Sequence, residues 1–179
     1  MKLFAITLFI TLVSISNLYS QRRIAAMDAY LEVKGLTLEG TDVTVKSNEL
    51  QILYEEGLAT GQLLVRTLVS TDKAITQWIS SNPESVVRFK ITIPPGKFAF
   101  GNSMNEKFTA EALFELEGGT TTFTIDLDVS NLRNNNDNAF QIIGRGRVSL
   151  SAHLGMTDLN NLQDDISFQF MQNVTIFTP

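Results

Sequence analysis

A chain of 179 residues has room for one ordinary domain and not for a second independent core. Its 44% apolar and 18% charged residues, with twelve Phe, exclude a disordered chain, and the absence of Cys excludes disulfides, thiol lipidation and Cys-based metal sites. The formal charge of −5, with Lys and Arg scattered along the chain, argues against nucleic acid and other polyanions as partners.

Residues 1–20 open with Lys2, continue in the apolar run 3–13 and finish in small and polar residues, the order of a secretory leader. That run is about half the roughly 20 residues needed to span a bilayer, and no later segment is longer, so no transmembrane helix is expected. The mature unit is then a single domain over residues 21–179, periplasmic or secreted, with 13 basic against 19 acidic residues. Arg22 and Arg23 are read as a solvated N-terminal tail.

Further along, weak strand patterns fall at residues 42–45, 50–55 and 61–68. Thr71 is placed to cap a short helix that sets Ala74, Ile75, Trp78 and Ile79 on one side before Asn82-Pro83 ends it. Residues 86–93 then alternate with period two, Val87, Phe89, Ile91 and Ile93 against Arg88, Lys90 and Thr92, and Pro94-Pro95-Gly96 stops them. Residues 108–116 repeat the pattern with Phe108, Ala110, Ala112, Phe114 and Leu116, although Leu113 breaks the polar row. Glu117-Gly118-Gly119-Thr120 reads as a hairpin turn whose glycines supply positive φ, leading into Phe123, Ile125, Leu127 and Val129. Five Asn and one Asp within residues 131–138 mark an exposed loop. The row Phe140, Ile142, Val148, Leu150, Ala152 and Leu154 follows, interrupted by Gly144 and Gly146, which are expected to mark a bend or bulge. The final strand, 165–176, carries Ile166, Phe168, Phe170, Val174 and Ile176 on one face.

About eight amphipathic strands at hairpin spacing predict an all-β, antiparallel fold, barrel or sandwich, with one short helix over an end. An eight-stranded barrel either fills with side chains or holds one small ligand, and period two does not separate these.

Several segments carry a family resemblance. Val65-Arg66-Thr67-Leu68-Val69-Ser70-Thr71-Asp72 running into the helical piece ending at Trp78-Ile79, the turn and strand Pro83-Glu84-Ser85-Val86-Val87-Arg88-Phe89, the hairpin spanning 108–129, Ser149-Leu150-Ser151-Ala152-His153-Leu154-Gly155 and Asp164-Asp165-Ile166 together resemble the YceI-like family of exported, lipocalin-like β-barrels. The resemblance covers the part of the chain from Val65 onward; residues 30–39 lack the family's spacing, and His153 stands near the position of a basic residue often found there. It implies a closed or nearly closed barrel whose elongated apolar cavity suits an isoprenoid or fatty acyl chain.

If the interior is hollow, its lining is expected from Trp78, Phe89, Ile91, Phe114, Phe123, Ile125, Phe140, Ile142, Phe168 and Phe170. Each methylene moved from water onto such a surface contributes about 0.8 kcal/mol, so an amphiphilic or isoprenoid small molecule needs no special polar group to bind. The alternative is an interaction or structural domain whose rings fill the interior completely. Trp78 either closes one barrel mouth or anchors the helix. His153, the sole His, has no second imidazole and no Ser-His-Asp partner set, and is read as a surface or strand-end residue. The acid pairs Asp126/Asp128 and Glu111/Glu115 alternate with the apolar row, as a solvated outer face does. Neither catalysis nor a cofactor or metal is expected.

Overall fold

The computed structural model describes residues 23–26, 29–55, 57–97, 105–116, 119–132, 139–149 and 161–177. Residues 1–20, expected to be a leader, Arg22, Glu117, Gly118, residues 133–138 of the Asn-rich segment and residues 150–160, with His153, lie outside them.

The described strands are β1 (Arg23–Ala26), β2 (Ala29–Leu36), β3 (Asp42–Glu55), β4 (Leu58–Leu64), β5 (Val69–Ser70), β6 (Val86–Thr92), β7 (Asn105–Leu116), β8 (Gly119–Asn131), β9 (Ala139–Ser149) and β10 (Asp165–Phe177), with one α-helix, α1 (Lys73–Ser81). Eight of them close on themselves in the order β2, β3, β4, β6, β7, β8, β9, β10, with β10 returning to β2 and every neighbouring pair antiparallel. The fold is therefore the closed barrel of the two expected architectures. Closure gives each of the eight barrel strands a neighbour on both sides.

The alternating rows decide which face closes inward. Ile91 and Ile93 on and just after β6, Ala110, Ala112 and Leu116 on β7, and Ile125, Leu127 and Val129 on β8 are buried, while Arg88, Lys90, Thr122, Thr124 and Asp126 between them are exposed. Leu113, the residue that breaks the polar row, points outward at 41% exposure.

Several expectations are corrected. The weak strands 42–45 and 50–55 are one strand, β3, because a register shift opposite Ala29/Leu31 absorbs the polar stretch Ser47-Asn48-Glu49 without ending the ladder. Residues 61–68 do not form one strand: β4 covers Leu58–Leu64, and Val65–Thr67 is a 3-10 turn. Arg23 opens β1, which pairs with β10 from Arg23↔Phe177 to Ala26↔Val174, rather than trailing as a tail. Asp72, not Thr71, caps α1, its Oδ1 accepting from the Ile75 amide at 3.0 Å. Gly119 is a strand residue paired with Leu116 and has no positive φ; among the described glycines the positive φ angles belong to Gly40, Gly57 and Gly96. Nor do Gly144 and Gly146 mark a bulge, because the β9–β10 register runs through both without a shift.

The outer wall is stitched by cross-strand polar pairs. Lys107 Nζ lies 3.0 Å from Asp128, its register partner, and Thr109 Oγ1 donates to Asp126 at 2.9 Å. Arg88 faces Glu115 at 3.9 Å. The two acid pairs therefore sit on the outside, away from any shared cleft.

Glu32 on β2 collects the densest set: Lys34 Nζ at 2.7 Å, Lys46 Nζ at 3.4 Å and a hydrogen bond from the Tyr30 hydroxyl at 2.8 Å. Lys34 first, then Tyr30, hold its carboxyl down from the ordinary 4.5 to about 2. A carboxylate whose pKa is depressed by folding stabilises the native state above the unfolded value and loses that contribution as pH falls. Between pH 4.5 and about 2 the unfolded chain takes up this proton and the folded one does not. Unfolding midpoints measured across that window should fall less steeply in Glu32→Gln than in the parent.

Candidate functional site

The barrel has two unlike ends. Away from α1, Ile52, Tyr54, Ile93, Leu127, Val129, Phe140, Ile142 and Val174 are all buried in one core cluster. Burial pushes the Tyr54 phenol far above its usual pKa, so it stays neutral. Gln172 is buried with them, donating from Nε2 to the Ile52 carbonyl at 3.2 Å.

Toward α1, the bore opens into a hollow of about 180 Å³. Its wall takes Leu31, Val33 and Gly35 from β2, Val43, Val45 and Leu50 from β3, Leu63 from β4, Val87, Phe89 and Ile91 from β6, and Ala112, Phe114 and Leu116 from β7. Phe123 and Ile125 of β8, Val148 of β9, and Ile166, Phe168 and Phe170 of β10 complete the ring, and Leu162 precedes β10. Ile75 and Trp78 from α1 and Leu68 line it from the helix side. The surface they present is apolar throughout, so the hollow offers a guest dispersion and dehydration and no hydrogen bond.

Local chemistry fixes that helix end. The 3-10 turn puts the Thr67 hydroxyl on the Leu64 carbonyl at 2.7 Å and within 3.0 Å of the buried Ser47 hydroxyl. Residues Val69 and Ser70 then pair with Lys46 and Val45 of β3. The chain leaves this anchor at the cap Asp72, so α1 starts at a fixed point and lays Ile75 and Trp78 against the hollow.

Three glycines shape the wall. Gly61, Gly144 and Gly146 stand directly opposite Phe89, Phe170 and Phe168 in the ladders, and a Cβ on each would meet the ring at 2.1, 2.2 and 2.6 Å. Each ring therefore occupies the space a side chain would have filled, and lies back against the backbone of the neighbouring strand. The rings contact one another as well. Phe89 and Phe170 stack with centroids 6.2 Å apart and planes at 24°, Phe123 meets Phe168 edge-on at 5.5 Å, and Phe114 tilts against Phe123 at 6.2 Å.

Of the ten residues expected to line a cavity, Trp78, Phe89, Ile91, Phe114, Phe123, Ile125, Phe168 and Phe170 come together around the hollow. Phe140 and Ile142 do not: they point inward but sit in the packed half, below it. Sequence reasoning missed the β2 and β3 contributors, the helix-side Leu68, and the glycine seats.

No protein-family model and no curated protein matches this chain. Solved structures do. A polyisoprenoid-binding domain from Saccharophagus degradans, implicated in plant cell wall breakdown, superposes with a TM-score of 0.64 over 86% of this chain and 97% of its own, at 10% identity. In fold, this chain is similar to a polyisoprenoid-binding domain. BcnA of Burkholderia cenocepacia superposes with a TM-score of 0.57 over 81% of this chain and 95% of its own, at 14% identity. The YceI-like resemblance carried by residues 65–166 thus meets a structural match that spans most of the chain. The first of these matches is a binding domain. Among the described residues, no helix is long and apolar enough to cross a membrane.

Proposed function

We propose that this protein is an exported binding or carrier protein that holds an apolar chain, of isoprenoid or fatty acyl type, in the hollow at the helix end of its barrel. One observation carries the reading: within a barrel whose other half is filled to burial, 23 residues with an apolar surface surround a space that none of them fills. Interiors pack to crystal-like density, so an unfilled apolar hollow forgoes dispersion contacts that a guest would restore. The similarity to a polyisoprenoid-binding domain supports the same reading, and the leader-like residues 1–20 support a periplasmic or secreted location. A structural or interaction domain with a completely packed interior is the rival; the half around Phe140 and Ile142 suits it, and the hollow does not.

Native mass spectrometry of the purified protein, paired with solvent extraction, tests the proposal. The expected spectrum carries a released amphiphile mass, and stripped protein takes up a fluorescent fatty acid. A bare protein mass together with no uptake would leave the packed-domain reading standing instead.

A further inference from the structure

Resting on that reading, we infer that Phe89 and Phe170 floor the hollow and restrict its guest to a short apolar tail rather than a long polyprenyl or long-chain acyl group. The strand order places β6 and β10 four steps apart in both directions around the eight-stranded wall, so these two rings reach each other from diametrically opposite strands. Their centroids lie 6.2 Å apart. A methylene chain passing between two rings needs a carbon contact of about 3.5–4 Å on each side, or about 7–8 Å in all. The stacked pair therefore leaves no passage between its own two rings, and a longer chain would have to displace one of them or turn aside.

Depth along β10 agrees with this. Ile166, Phe168 and Phe170 line the hollow in succession, and the next inward residue, Gln172, does not; it is buried on the far side, bound to the Ile52 carbonyl. Volume agrees as well. The hollow holds about 180 Å³, little more than the roughly 150 Å³ apolar cavity that accepts benzene, and well under the roughly 300 Å³ at which drug-sized ligand pockets begin. The bar is held in place by Gly61 and Gly144, which leave no Cβ to lift either ring off its wall.

The experiment is a ladder of chain lengths offered to the purified, delipidated protein: saturated fatty acids from about six to about eighteen carbons, and a parallel set of prenyl alcohols lengthened one isoprene at a time. Within the hollow, each added methylene should tighten binding about fourfold, the equivalent of ~0.8 kcal/mol. The expected curve climbs and then goes flat among the shorter members, and the tighter set at matched length identifies the linear or branched tail. A wild-type curve that keeps climbing through the longest members overturns the floor while leaving the binding reading intact. No uptake of any member removes the binding reading and the floor together. Phe89→Ala should move the break to longer chains, and Gly144→Ala, which drives the Phe170 ring into the bore, should move it to shorter ones. Folded variants whose break stays at the wild-type length would show that these rings do not set it.

Discussion

Gly144→Ala is expected to lower the stability of the barrel by about 2–3 kcal/mol, near the upper range for overpacking a well-filled site. The new Cβ would lie 2.2, 2.4 and 2.9 Å from three carbons of the Phe170 ring, and that ring is buried and stacked on Phe89. Something must move, and the ring's remaining freedom is toward the hollow. Gly146→Ala should cost less, because Phe168 is only half-buried and its nearest ring carbons stand at 2.6 Å. Gly57→Ala provides the contrast. It meets nothing within 4 Å, but its φ of +74° carries a backbone penalty of about 1 kcal/mol. The decisive measurement is a double-mutant cycle by urea unfolding: Phe170→Leu should recover part of the loss in the Gly144→Ala background, with a coupling of about 1 kcal/mol or more. Purely additive costs would mean that Gly144 and Phe170 do not share the space assigned to them.

The same glycines show where sequence reading reaches its limit. Period two locates a glycine in a strand and sets it on the inward row, but the absent side chain is compatible with a bulge, a bend or a ring seat. Only the cross-strand register, Gly144↔Phe170 and Gly146↔Phe168, selects the last, and register is not a local property of either strand. The cavity lining fails to separate for a related reason. Alternation correctly turns Phe140, Ile142, Phe168 and Phe170 inward, yet whether an inward residue meets the hollow depends on its height along the bore. Height follows from strand stagger, so Phe170 ends on the hollow and Phe140 beneath it.

Elsewhere the pattern is carried by few residues. In β2 only Leu31 and Val33 alternate with Glu32 and Lys34 before Gly35 interrupts, and that glycine is again a place taken by another side chain, since a Cβ there would lie 3.0 Å from Ile166. In β10 the buried Gln172 interrupts an apolar row, and it can do so because its amide reaches a main-chain carbonyl inside the core. By contrast, β6, β7 and β8 each combine three or more inward apolar residues with charged or hydroxyl neighbours, and their faces are legible throughout.

Phe123→Glu is the more severe substitution, since it removes a ring from two aromatic contacts and puts a carboxylate on a wall with no polar group to receive it. The loss should be about 3 kcal/mol or more at neutral pH, the range for a charge left without compensation in an apolar interior. Phe123→Leu separates volume from charge and should cost about half as much or less. Thr122→Glu, one residue away on the exposed face, should stay within about 0.5 kcal/mol of the parent. The acid also brings its own pH signature. An apolar wall raises the folded-state pKa of the new carboxyl above its unfolded value of about 4.3, so the folded variant holds its proton where the unfolded one has released it. The penalty is therefore smallest below about pH 4 and grows as pH rises through the shifted pKa, the opposite direction to the acid sensitivity that Glu32 gives the parent. Uptake of a fluorescent fatty acid should fall with the same pH rise. If Phe123→Glu unfolds at the parental urea concentration and still takes up the probe at neutral pH, the β8 row faces solvent, and the hollow drawn around it does not exist.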